Sequence, residues 1–419
     1  MTFTTKVFGP LLLFMLALAL FSGCDESSDN DPGSGPGQAQ DDDDDSAAGG
    51  TDDDTEPADD DASPEPVDPP DQWGPYGVGY AEFAWTDGNR DDRTLPVVVF
   101  YPAQTPPIDG AAYNQAATTA GLMDRMMKPA YLAVENAAPD LTGAPYPVVA
   151  FSHGSGARKE EYKYLLEFLA SHGYVCIAPN HVGNVGITHY WPWLLDMSVL
   201  RPFDIVFALN RLGKLFAAPE HPFAGLGDIQ RVGMIGHSYG GNTTLALAGA
   251  AFSYDYIEEL CADPPVDIYI CAIPAARAIF ENRLPDPRLK AAISLAHDGA
   301  QSYFGPDAVG VETIKIPTML IAGTADNWCP YEREAEPTWA HLNSPANYLL
   351  LDSAGHLGFT DVISGRPMSL PRQHSLVLRY VTAFFGYYVK ELAGYGEYLT
   401  PEQATQWNAG HDDFQWSEK

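Results

Sequence analysis

The stretch VGMIGHSYGGNTTLALAGA (residues 232–250) decides how this chain is read. An apolar run meets a serine hemmed in by Gly236, Gly240 and Gly241, and a run of small residues suited to a helix follows at once. A strand that turns into a helix at one serine needs unusual backbone there. A side chain two positions to either side would strike the neighbouring strand or helix, and glycine removes that collision. The turn presents the Ser238 hydroxyl at the carboxyl end of a sheet, the edge where open α/β sheets bind ligands.

A serine hydroxyl is a poor nucleophile near neutral pH and needs a base. The base and its orienting acid should sit after later strands. TMLIAGTADNWCP supplies Asp326, 88 residues beyond Ser238, and NYLLLDSAGHLGF supplies His356 a further 30 on. In that arrangement Asp326 accepts from the His356 ring, and His356 takes the Ser238 proton and returns it to the leaving group. An oxyanion hole then needs two N–H donors. Tyr239, directly after the nucleophile, offers one; Ser155, in FSHGSGARKEEY after an early strand, offers the other. Asp298, in ISLAHDGA, is the alternative acid, while Asp352 and Asp361 read as loop or strand-end residues. His153 follows too early a strand to be the base and reads as structural, and His181 reads as a loop hydrogen-bonder.

Working outward, strand-like and helix-like runs alternate. Strands are expected over 93–103, 146–154, 174–180, 231–238, 289–296, 316–326 and 347–355. Helices are expected over 159–173, ending on a glycine, over 201–216, and over 373–392, which closes the domain. Near-continuous apolar strands alternating with helices predict an α/β architecture with a mostly parallel sheet covered on both faces. Residues 252–288 break the rhythm and predict a small cap insertion. Tyr190, Trp191 and Trp193, in THYWPW, could wall an acyl or aryl pocket or pack beneath the cap, and Trp328 could do either.

Several stretches carry a family resemblance: GPYGVGYAEFAW (residues 74–85), RTLPVVVFYPA, PVVAFSHGSG, GYVCIAPNHVGN, RPFDIVFALNRL and VGMIGHSYGG. Together they resemble the α/β-hydrolase superfamily, and within it the predicted dienelactone hydrolases related to platelet-activating factor acetylhydrolases. The resemblance runs from about residue 74 to 393. It implies a carboxylic-ester hydrolase that works through an acyl-enzyme on short-to-medium acyl esters, phospholipid-type esters or polyesters, with no cofactor and no metal. Two departures matter. Dienelactone hydrolases proper use a cysteine nucleophile where this chain has Ser238. The acetylhydrolases place their acid after an earlier strand, where Asp298 stands here. Two other readings remain: a lipase or peptidase on the same triad, and a catalytically silent surface protein that keeps the fold for binding.

The N-terminus reads differently. LLLFMLALALF (residues 11–21) follows Lys6 and is too short to span a membrane, so residues 1–23 read as an export signal. FSGC resembles the bacterial lipobox, with Phe21 in place of the usual Leu; it implies a lipid on Cys24 and a membrane anchor at the cell envelope. Residues 25–71 hold nineteen acidic and no basic side chains, more than half of the net charge of −33. Such a tract cannot bury a core, so 24–72 reads as a disordered tether and 73–419 as the catalytic domain. The acidity excludes nucleic acid as a partner. Cys261 and Cys271, ten residues apart, are candidates for a disulfide in an exported protein. Cys176 reads as a buried small residue, and Cys329, near the expected acid, reads as structural.

Overall fold

A computed structural model describes residues 66–110, 132–186, 197–262, 270–343, 345–361 and 368–419. Ten strands are present among them: β1 (Gly77–Asp87), β2 (Arg93–Ala103), β3 (Val134–Glu135), β4 (Tyr146–Ser152), β5 (Val175–Pro179), β6 (Gly227–His237), β7 (Leu289–Leu295), β8 (Thr318–Gly323), β9 (Ala346–Leu351) and β10 (Phe414–Glu418). The helices are α1 (Lys163–Ser171), α2 (Met197–Phe216), α3 (Tyr239–Ala248), α4 (Tyr254–Ala262), α5 (Arg277–Arg283), α6 (Ala300–Phe304), α7 (Ala335–His341), α8 (Leu370–Tyr388) and α9 (Pro401–Asn408).

The strands form one sheet in the order β10-β9-β8-β7-β6-β4-β5-β2-β1-β3. From β5 to β9 every neighbouring pair is parallel, whereas β2 joins β5, and β10 joins β9, antiparallel. This is the α/β-hydrolase fold. Every residue of β4, β8 and β9 is buried, as parallel strands covered on both faces require. Alternate residues of one strand serve opposite layers. Val149 and Phe151 of β4 pack in a core with Leu165 and Leu169 of α1 and Val377 and Phe384 of α8. Val148 and Ala150 pack in the other with Ile205, Leu209 and Leu212 of α2. Helix α1 ends at Ser171, capped by His172, and Gly173 just beyond it has a φ of 80° that suits only glycine readily.

The differences from the sequence expectation are local. Helix α2 begins at Met197, four residues early, and the strand expected to reach residue 154 stops at Ser152. The long helix α8 does not close the domain: α9 follows, and β10 adds an edge strand beside β9. An edge strand buries one face at most; only Phe414 of β10 is fully buried, so its apolar pattern is faint. The 252–288 interval carries α4 and α5, and a disulfide joins Cys261 to Cys271. No helix among the described residues is long and apolar enough to cross a membrane. The expected export signal, Cys24, nearly all of the acidic tether, and Tyr190, Trp191 and Trp193 lie outside the described residues.

Candidate active site

Ser238 stands between β6 and α3 with φ 56° and ψ −122°, a left-handed backbone that L residues rarely adopt. The flanking glycines allow the bend. A Cβ on Gly236 would stand 2.1 Å from the Gly240 carbonyl oxygen, and one on Gly240 would stand 1.9 Å from the Ser152 carbonyl oxygen. Strand β4 and helix α3 therefore meet with no room for a methyl group.

Asp326 and His356 follow β8 and β9 and come together beside this turn. Asp326 Oδ2 accepts from His356 Nδ1 at 2.6 Å. Its Oδ1 accepts from the backbone N–H groups of Trp328 and Cys329 at 2.9 and 2.8 Å. A carboxylate held by three donors fixes the His356 proton on Nδ1 and leaves Nε2 as the basic atom. The bond runs to Asp326; Asp298 instead accepts from the Asn242 side chain through its backbone carbonyl. Asp352 takes a bond from Thr324, and Asp361 pairs with Lys163. Trp328 is 64% exposed, so it covers rather than fills the site, with its ring 5.2 Å from that of His356.

The Cys329 thiol neighbours the Ser238 hydroxyl. Among the described residues Ser238 makes no hydrogen bond to His356, a contact that in free hydrolases often forms only with substrate. Burial pushes the Cys329 thiol far above its ordinary range, which makes it inert as a nucleophile. Asp326, Cys329 and His356 offer ligand atoms within 4.8 Å of one another. A cation there would have to displace the proton shared by His356 and Asp326, and ionise a thiol that burial keeps protonated.

The loop after β4 lies against the nucleophile: a Cβ on Gly154 would stand 3.4 Å from Ser238 Cβ. Gly154 N–H donates to the Tyr162 hydroxyl at 3.0 Å, and that hydroxyl donates to His237 Nδ1 at 2.9 Å. The Gly154 amide is thus engaged elsewhere, while Ser155 N–H meets no acceptor among the described residues. Tyr239 opens α3, in the turn whose N–H groups have no acceptor within the helix. His153 is structural: its Nε2 accepts from His181 N–H at 3.0 Å and its Nδ1 donates to Gly154 O at 2.7 Å. Burial drives His153 and His237 well below the usual histidine range, so both rings stay neutral.

Behind this loop lies a network that the sequence did not reveal. Ser152 Oγ donates to His181 Nε2 and His181 Nδ1 donates to Asp204 Oδ2, each at 2.9 Å. The trio repeats a serine–histidine–aspartate order, yet all three side chains are fully buried. Burial opposes the Asp204 charge, but Arg93 and Arg90 beside it hold its carboxyl far below the carboxylate range. Burial lowers His181 to about 4, with Arg201 adding to the shift. Arg201, on α2, donates to Ser152 Oγ, to the carbonyls of His153 and Gly154, and twice to Asn184 Oδ1. In sequence, RPFDIVFALNRL reads as an amphipathic helix whose charges face water, and no local spacing marks Arg201 or Asp204 as core groups.

Residues 113–193 match the family model described as Chlorophyllase, an α/β-hydrolase-type family with serine esterase activity. The matched stretch includes β4, the Ser155 loop and β5, and ends before Ser238. It supports an ester hydrolase of the α/β-hydrolase type. No curated protein matches the chain.

Proposed function

We propose that the chain is a serine carboxylic-ester hydrolase. Ser238 is its nucleophile, His356 its base, Asp326 the orienting acid, and the N–H groups of Ser155 and Tyr239 its oxyanion hole. The observation that carries the reading is the convergence of the strained Ser238 turn with the His356–Asp326 pair at the carboxyl ends of β6, β8 and β9. His356 Nε2 takes the Ser238 proton as Oγ adds to the ester carbonyl. The tetrahedral oxyanion is met by the two amides, and the alcohol leaves with the proton from His356. Water, activated by His356, then attacks the acyl-enzyme and releases acid and free serine.

We read the chain as lipid-anchored at Cys24 outside the cytoplasm. The bridge between Cys261 and Cys271 supports export. The test is hydrolysis of p-nitrophenyl esters from acetyl to palmitoyl, with chlorophyll as a further substrate, beside Ser238→Ala. Activity that peaks at one chain length and vanishes in the variant is the expected result. A folded protein inert towards every ester would favour the binding reading.

A further inference from the structure

Arg201 is fully buried and uses all five guanidinium N–H donors, and every acceptor is neutral. Nε and Nη2 reach Asn184 Oδ1 at 3.0 and 2.6 Å. Nη1 reaches His153 O at 2.6 Å and Ser152 Oγ at 3.2 Å, and Nη2 reaches Gly154 O at 3.2 Å. Its face lies 4.6 Å from the centre of the Tyr239 ring. One side chain thus touches both segments that supply the oxyanion donors: the carbonyls just before Ser155, and the side chain of Tyr239.

The charge balance around it is uneven. Asp204 is held by Arg90 and Arg93, and Asp87 by Arg90, so these four groups cancel and Arg201 leaves the cluster one positive charge. The neighbouring His153 and His181 are neutral. Asp204 acts on Arg201 through its charge but bonds the other two arginines, and among the described residues no carboxylate bonds Arg201 directly. A buried charge without a counter-ion is costly, and evolution more often pairs or replaces it. Here the cost has a use, because a fixed positive charge in a dry site acts strongly on negative charge that develops nearby.

We propose that Arg201 is a positioning residue for the oxyanion hole that also supplies it with an uncompensated positive field, an inference that rests on the esterase reading above. Its bonds to the carbonyls of His153 and Gly154 orient the loop so that the Ser155 amide faces the nucleophile. Its charge favours the tetrahedral oxyanion over the neutral ester, so it should act on kcat rather than on KM.

The test is Asn184→Asp in the full chain. The change is nearly isosteric, keeps an acceptor for both N–H groups, and places a carboxylate against the guanidinium. A purely structural role predicts anchoring as good or better, with kcat unchanged. The field role predicts a fall in kcat on the order of tenfold to hundredfold, somewhat below the loss on removing a direct oxyanion donor. KM should stay within about twofold, and a trifluoromethyl ketone inhibitor should weaken in step with kcat/KM. Ser155→Ala measures separately what the lost Asn184 Nδ2 contact to Ser155 Oγ is worth. Should Asn184→Asp fail to fold, Arg201→Lys and Arg201→Gln carry the test: the charged variant must retain clearly more kcat. Unchanged kcat in Asn184→Asp, or equal losses in the Lys and Gln variants, would overturn the proposal while leaving the esterase reading intact. An inactive wild type that no serine probe labels would remove both.

Discussion

Two serine–histidine–aspartate trios lie within this one fold, and they differ in what surrounds them. Ser152, His181 and Asp204 are sealed, each at 0% exposure, while Ser238, Asp326 and His356 keep 8, 4 and 7%. In the sealed trio the aspartate is gripped by two arginines, and the serine oxygen also accepts from Arg201. Its hydroxyl proton is committed to His181, and no substrate carbonyl can approach. In the open trio the aspartate, among the described residues, takes only backbone N–H groups besides the histidine, the serine sits on strained backbone, and a loop amide without a described acceptor lies close by. Under the proposed function, the same three residue types do two jobs. Access, backbone strain and the charge near the acid separate a nucleophilic site from a structural clamp.

Substitutions in matched pairs break or sharpen this contrast. The largest difference is expected at the serines. Ser238→Ala should lower kcat/KM by about 10⁴-fold or more, whereas Ser152→Ala should remain an active esterase with a lower melting temperature. Loss of activity in both at unchanged melting would erase the distinction.

Next come the acids. Asp326→Asn should cut kcat by roughly 10³ to 10⁴-fold with little change in melting, because the wrong histidine tautomer is then favoured. Asp204→Asn leaves Arg90 and Arg93 buried without their shared partner and should cost about 3–5 kcal/mol, read from urea midpoints. A stable Asp204→Asn protein would mean that the arginines find water or other partners.

The smallest effect is one of pH. His181 has a folded pKa depressed to about 4 against the ordinary 6.5, so the unfolded chain binds more protons between those values. Its contribution is present above about 6.5 and is lost as pH falls towards 4. Replacing it with Gln should flatten stability against pH in that window by up to one proton, about 1.4 kcal/mol per pH unit. An unchanged slope would show that His181 is not the titrating group.

Much of this was legible in the chain. The glycines around Ser238 mark a close approach whose cause is local, and the structure supplies the clash each one avoids. The placement of Asp326 and His356 follows from counting apolar runs, since a loop after a parallel strand must emerge on the same edge as the turn after β6. The clamp around Arg201 was not legible, because its partners lie 17 to 49 residues away and meet only after the sheet forms. Arg201 and Asp204, three residues apart, read in sequence as a charged pair on a helix surface, and nothing local marks either as buried. Cys329 reads in sequence as structural, and its proximity to Ser238 joins loops after separate strands, which leaves no local trace.

The central claim is that Ser238, and not its sealed counterpart, is the nucleophile. The direct measurement is to label the protein with a fluorophosphonate probe and locate the adduct by peptide mass spectrometry. The account predicts a single adduct on the Ser238 peptide, absent from Ser238→Ala and slow to form in His356→Gln. No adduct on a folded protein, or an adduct on Ser152, would contradict it.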